Sequence, residues 1–352
     1  MSKTAKLTLI VANGTSEVLP ELQDVALRSW LARAAGRGLL RRADRDDPQL
    51  QDHLDFEVHL LAAIGLRSHA KTLASAPVCL AAEPLGGFWL RAEPIHFAAG
   101  MTRIDAVTLK GPTALSSEDR DELSVALRDH LQASGLQWDA RRWLLGYPRA
   151  LDVQTREPNL TTELQNAMPS GADAKEVRRV MTELQMVLHE HPVNVRRAHA
   201  GLPAANAVWV WGGGSVIAER RNSTSSLIFG TDPFSPGAEQ IATDPFSSSA
   251  RIFATDPFSL GLAYLTGTQA ITPENPEQVL GDTNSVDSAV VLDLKENTNL
   301  LEVWLRPLQT ALAKGRLNAL SIAIDRWTIE LTRASFWRVW RTDLPLERWS
   351  AA

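Results

Sequence analysis

A single cysteine, Cys79, in 352 residues leaves the chain unable to form any intramolecular disulfide, which suits a reducing compartment. In the run PVCLAA it reads as a small core residue. Long apolar runs are also missing: none reaches the roughly 18 residues that a membrane-spanning helix needs, so no membrane association is expected. The opening MSKTAKLTLIVANG is too short an apolar run for a signal peptide and lacks a small-residue cleavage site. A first β-strand and a cytoplasmic protein are the expectation. Basic charge is scarce too. A formal net charge of −5 gives no general basic face for nucleic acid. Among nucleotide and metal signatures, GxxxxGK[ST], GxGxxG and HExxH are all absent, and no histidine follows His199.

What is present is the balance of a soluble globular protein, 44% hydrophobic and 22% charged, long enough to bury a large core. Lys6 to Ala12 (KLTLIVA) reads as a strand that ends at the Asn13-Gly14 turn. Pro20 to Ala35 and Pro48 to Gly65 read as helices, with a charged surface loop over Arg37 to Asp47. Ala76 to Ala82 and Gly87 to Ala92 suit the two strands of a hairpin, and Met101 to Leu109 continues the strand character. Ser116 to Gly135 is amphipathic, with serine to cap it, acids in its first turn, and Leu123, Leu127 and Leu131 on one face. Trp138 to Leu145 reads as a strand. Asp173 to His189 repeats the helical pattern through Val177, Val180, Met181, Leu184 and Leu188, and Pro192 is expected to stop it. Val286 to Leu294 reads as a buried strand, Thr298 to Lys314 as a helix, and Leu317 to Thr332 as a hairpin around Asp325. Strands alternate with helices, so the expected fold is α/β: a single domain over 1–352 with a mixed, mostly parallel central sheet flanked by helices.

Two features interrupt that pattern. TDPFSPGAEQIA, TDPFSSSARIFA and TDPFSLGLAYLT begin at Thr231, Thr243 and Thr255, a period of twelve. Each Asp-Pro suits an N-cap followed by the first helical residue. The repeat, within 225–266, reads either as a ligand motif or as a tandem expansion in a tolerant loop. Eleven tryptophans accompany only two tyrosines, and Trp304, Trp327, Trp337, Trp340 and Trp349 crowd the end. They supply core bulk or an aromatic surface for a protein partner.

Chemistry-bearing side chains concentrate in Glu183 to Gly214, ELQMVLHEHPVNVRRAHAGLPAANAVWVWGGG. It reads as helix, proline stop, polar loop, buried strand and glycine turn, an order that in α/β proteins brings polar groups to the carboxyl end of a strand. His189 and His191 are two apart, so they share no helix face and make a poor metal pair, while cations at a helix end suit its dipole. Asn194, Arg196, Arg197, His199 and Asn206 surround Gly201-Leu202-Pro203. Asparagines there can hold the loop, and the arginines can equally form a fork for phosphate or carboxylate. Gly212, Gly213 and Gly214 permit a turn, and their amides can form an anion nest. The candidate ligand set is Asn194, Arg197, Asn206, Gly212, Gly213 and Gly214, with His189, His191, Arg196 and His199 accessory. The expected ligand is a small anionic metabolite.

LQMVLHEHPVN with GLPAANAVWVWGGG, GGFWLRAEPIHF (Gly86 to Phe97) and FWRVWR (Phe336 to Arg341) resemble proteobacterial regulatory proteins of the RpfE type. That family is similar to archaeal-type cofactor-independent phosphoglycerate mutases of the alkaline-phosphatase-like superfamily. The shared pattern falls here on Asn194, Arg197, Gly201, Pro203, Asn206, Trp209, Trp211, Gly212 and Gly214. The resemblance implies a reduced alkaline-phosphatase-like fold. In the mutases a nucleophilic serine carries the phosphoryl group and two metal ions stabilise charge, which requires an Asp-Gly after the first strand and late Asp and His ligands. This chain has Asn13-Gly14 there, no late histidine, Thr15 and Ser16 without a nucleophile loop, and Asp287 and Asp293 as remnants. The expectation is a mutase-like scaffold without a metal cofactor and with little or no catalysis, the alternatives being a divergent metal-dependent mutase or phosphatase and a protein-interaction module.

Overall fold

The computed structural model describes residues 6–12, 22–32, 36–39, 57, 60, 63, 66–68, 75–81, 86–99, 104–109, 113–156, 167–215, 226–229, 239–243, 251–266, 268–282, 287–294, 299–324 and 327–337. In chain order the first elements are β1 (Lys6–Ala12), α1 (Val25–Ala32), β2 (Gly36–Leu39), β3 (Leu66–Ser68) and α2 (Ser75–Cys79). Then come β4 (Phe88–Ala99), β5 (Ile104–Thr108), α3 (Ser117–Ala133), β6 (Gln137–Asp139), β7 (Leu144–Tyr147), α4 (Ala174–His189) and α5 (Pro192–His199). β8 (Ala207–Ser215), β9 (Ser226–Phe229), β10 (Glu239–Thr243), β11 (Arg251–Phe253), α6 (Pro257–Thr266), β12 (Gln269–Ile271) and α7 (Pro276–Asp282) follow. The last are β13 (Ser288–Asp293), α8 (Asn299–Ala313), β14 (Ala319–Ile324), β15 (Trp327–Thr332) and a 3-10 turn (Arg333–Trp337).

The chain divides into two compact units. One draws on 1–46, 55–66 and 244–352, the other on 47–54 and 67–243. The first unit carries the expected fold class, a seven-stranded mixed sheet of order β12-β11-β13-β1-β14-β15-β2. Its strands β12, β11, β13, β1 and β14 run parallel, and β15 and β2 close it antiparallel. β1 is central, with β13 and β14 paired along its two edges, and Leu7, Leu9, Ile10, Val11 and Ala12 are all buried, as continuous apolar strands of parallel sheets are. α8 lays Leu301, Trp304, Leu305, Leu308 and Leu312 into the same core, each worth about 1.5–3 kcal/mol of burial. Trp30 of α1 stacks on Phe336, centroids 5.9 Å apart, so Trp30 and Trp304 are core bulk.

The second unit is built on an antiparallel sheet. β4 pairs with β8 along one edge and with β7 and then β5 along the other, and β6 extends β7. α3 and α4 cover it through Leu123, Leu127, Leu131, Val177, Val180, Leu184 and Leu188. Ser116 caps α3 by accepting from the Asp119 amide at 3.1 Å. A small sheet of order β3-β10-β9 completes the described strands.

Several local expectations change. The segment read as a first hairpin strand at 76–82 is instead the short, wholly buried helix α2, packed on β4 and β8. Both edges of β4 are already paired, so no edge remains for it. The strand read over 138–145 is a hairpin, β6 and β7, around a turn in which Trp143 takes φ 55°. The loop read at 37–47 includes edge strand β2. Of the helix read over 48–65, Glu57, Leu60 and Ala63 are described and all are helical. Pro192 does not simply stop α4; it is the first residue of α5, where its missing N–H is harmless. The repeat is no uniform loop: its second copy ends in β11, within the large sheet, and its third is helix α6 with Phe258, Leu262 and Ala263 buried. Asp256 caps α6 through the Ser259 amide at 2.9 Å, as the Asp-Pro reading expects. Positions 231–238 of the first copy and 244–250 of the second lie outside the described residues, as do Asn13, Gly14, Thr15, Ser16, Asp325, Trp340 and Trp349.

Candidate functional site

The stretch read as a polar loop is helix α5, so Asn194, Arg196, Arg197 and His199 lie on a helix rather than in a flexible loop. His189 ends α4, whereas His191 caps α5, its Nδ1 accepting from the Val193 amide at 3.3 Å. The two histidines thus serve different helices. Among the described residues, no group of three His, Cys, Asp or Glu is arranged to hold a metal ion.

Asn194 is 5% exposed and fully engaged with backbone. Its Nδ2 donates to Leu188 O at 2.8 Å and Ala205 O at 2.9 Å, and its Oδ1 accepts from Ala205 N at 2.7 Å. It therefore pins the end of α4 and the approach to β8 onto α5. Arg197, 3% exposed, donates through Nε to Pro203 O (2.9 Å), through Nη1 to Ala114 O (3.2 Å) and through Nη2 to Thr113 O (2.6 Å). Burial lowers its pKa, with Asp119 opposing. Asn206 forms both bonds of a strand pair with its side chain: Oδ1 accepts from Phe97 N at 2.7 Å, and Nδ2 donates to Phe97 O at 3.1 Å. It carries the β4–β8 ladder one step past the Ile95–Ala207 pair. His96 Nδ1 lies 2.9 Å from Ala204 O and adds a further tie to this connection. Arg196 points outward into an ion-pair fork with Asp119 (3.1 Å) and Glu122 (2.6 Å) of α3. The Arg196 hydrogen bond holds the Glu122 carboxyl below its usual value, and Glu122 and Asp119 push the guanidinium up. His199 is exposed at the end of α5.

The glycine triplet is not a turn. β8 runs through it to Ser215, with an irregularity opposite Trp89 to Arg91. Gly212 has φ +62°, and an added Cβ would sit 2.3 Å from the Ser75 hydroxyl of α2. At Gly213 a Cβ would sit 2.7 Å from Leu90 and 2.9 Å from Phe88. Glycine is required here because α2 and the β4 side chains close on the strand. Moreover, β8 belongs to an antiparallel sheet, so the rule that parallel strands present ligands at their carboxyl ends does not reach it.

Asn194, Arg197 and Asn206 are therefore brought together as one device that locks α4, α5 and β4 to β8, and the protein's own carbonyls and amides engage each side-chain polar atom. The carboxylates of Asp287 and Asp293 are not brought together at all. Asp287 precedes β13, its Oδ1 accepting from Lys6 N at 2.9 Å, whereas Asp293 ends the same strand beside Ala12. Six residue steps along the strand separate them by about 20 Å.

No protein-family model matches the chain. A 2,3-bisphosphoglycerate-independent phosphoglycerate mutase of Methanothrix thermoacetophila is 45% identical over 47 residues, 13% of this chain and 12% of that enzyme. The chain thus matches about an eighth of its curated relative's length. Among solved structures, the cofactor-independent phosphoglycerate mutase of Thermoplasma acidophilum aligns with TM-score 0.37 and 14% identity, covering 94% of this chain and 90% of that one. A Pyrococcus horikoshii protein aligns with TM-score 0.43 and 14% identity, covering 92% and 82%.

Outside the 183–214 segment, the second unit holds a cavity of about 320 Å³ whose lining includes Gln154, Arg156, Ser170 and Arg178. Sequence reading passes over it. Residues 148–172 have no helical or alternating period, and its two arginines lie 22 positions apart in the chain.

Proposed function

We propose that this chain is a regulatory protein of the RpfE type on a phosphoglycerate-mutase-like scaffold, non-catalytic or weakly catalytic, that binds a small phosphorylated or carboxylate metabolite. The single observation that carries the reading is the placement of Asp287 and Asp293 at opposite ends of β13. One metal ion cannot use both, and a two-metal phosphoryl-transfer centre needs several ligands within a few ångströms of each ion. Asn13 in place of an aspartate and the lack of any histidine beyond His199 remove further ligands. The 47-residue match to a mutase supports the scaffold and also keeps a second reading, a divergent metal-dependent mutase or phosphatase, in view.

The deciding experiment is metal analysis of the purified full chain, together with mutase and phosphatase assays on phosphoglycerate. The expected result is substoichiometric metal and no turnover above background, before or after loading with Mn²⁺ or Zn²⁺. Stoichiometric metal with phosphoryl transfer would establish the second reading.

A further inference from the structure

We propose that the cavity between the 154–156 segment and the first turns of α4 is an anion-binding site for the phosphate or carboxylate group of a small metabolite. It rests on the metabolite-binding part of the reading above and assigns that function to residues outside the 183–214 segment. The cavity of about 320 Å³ takes a group the size of a small metabolite. Among the described residues, two arginines line it and no aspartate or glutamate does. Arg156 comes from the loop wall and Arg178 from α4, so a bound anion would be met from two sides by planar donors suited to phosphate and carboxylate oxygens. Gln154 and Ser170 add neutral polar groups.

The walls are held before any ligand arrives. Gln154 and Ser170 exchange both backbone bonds, at 2.7 and 2.9 Å. The carbonyl of Arg156 accepts from Trp209 Nε1 at 2.6 Å, tying this wall to the middle of β8. Gly171 takes φ +108° and passes so close to the neighbouring segment that a Cβ would lie 2.6 Å from Asp152 O. On the helix side, Nε of Arg178 donates to Ala174 O at 3.3 Å, which lays the guanidinium back along the first turn. Asp173 and Glu176, at the start of α4, are engaged elsewhere. Asp173 accepts from Arg149 at 3.0 Å and from Asp152 N at 2.7 Å, and Arg149 also pairs with Glu176. The Arg149 hydrogen bond and then the Asp152 amide lower the Asp173 pKa.

The test is calorimetric titration of the full chain with inorganic phosphate, 3-phosphoglycerate and malonate, repeated on Arg178→Gln, Arg156→Gln and the double variant. Arg128→Gln, a surface change on α3, controls for the lost charge, and far-UV circular dichroism checks the fold of each variant. Wild type and Arg128→Gln are expected to bind alike, with each pocket variant at least about tenfold weaker. Phosphate against malonate tells which group the site prefers. If the folded double variant binds as wild type does, the cavity is not the site, while the metabolite reading stands. If wild type binds none of the three probes, the cavity proposal is overturned and the metabolite reading goes with it, leaving the non-catalytic scaffold to the metal and turnover assays.

Discussion

Replacing Asn194 by alanine separates a structural role for this side chain from a ligand-binding one, and its cost can be worked from the bonds it makes. The substitution removes one acceptor and two donors. Leu188 O keeps a donor in the His191 amide at 3.3 Å, so little is lost there. Ala205 is fully buried, and both its amide and its carbonyl lose the Asn194 partner. Two orphaned buried backbone groups at about 1–2 kcal/mol each give a destabilisation of roughly 2–4 kcal/mol. For a unit of this size that lowers the melting temperature by roughly 4–15 °C. Asn194→Asp should do no better, because it turns an oxygen toward Leu188 O and Ala205 O where the amide donated. Thermal and urea unfolding followed by circular dichroism measure the effect, and phosphate titration of the folded variants measures the other role. Asn194→Ala with stability within about 1 kcal/mol of wild type and phosphate binding abolished would refute the structural assignment.

Three further outcomes follow from the same geometry. Gly212→Ala should destabilise by about 2–4 kcal/mol through its left-handed φ and its overlap with Ser75. Ser75→Ala, which deletes a buried hydroxyl without a hydrogen-bond partner among the described residues, should be near neutral and relieve part of that loss; additive effects in a double-mutant cycle would count against the contact. Arg197→Lys should lower stability by about 2–4 kcal/mol, since one ammonium cannot reach Pro203, Ala114 and Thr113 together. The neighbouring Arg196→Ala should barely move the melting transition, its ion pairs being exposed and screened; equal effects of the two substitutions would contradict this division. Burial raises the phenol pKa of Tyr147, whose hydroxyl has no hydrogen-bond partner among the described residues. The unfolded chain gives up that proton from about pH 10 while the folded chain holds it, so stability is full below that pH and falls as pH rises beyond it. In Tyr147→Phe that alkaline loss should shrink; an unchanged urea midpoint profile above about pH 10 would refute it.

Much of the scaffold was legible along the chain. β1, β13, α3, α4 and α8 come from unbroken apolar runs or helical stripes, and period and burial agree in each. Such signals are local, so they survive any arrangement of the remaining elements. The Asp-Pro cap at Asp256 was equally local.

The sequence by itself determined the fold class of the first unit and the grouping of Asn194, Arg197 and Asn206, and it places asparagine at position 13 and no histidine after His199. Only the tertiary structure decided what those groups do. Each has the chemistry both to hold a backbone and to bind an anion, and the choice depends on which carbonyls and amides come within 3 Å. Those partners, from Phe97 and Thr113 to Ala205, lie up to 109 positions away in the chain. The same holds for the glycine triplet, which reads as a turn until Ser75 and Phe88 close on it, and for Arg156 and Arg178, which have no common motif and meet only where α4 begins beside the 154–156 segment. A side chain's capacity is written in its residue type, but its partner is set by packing.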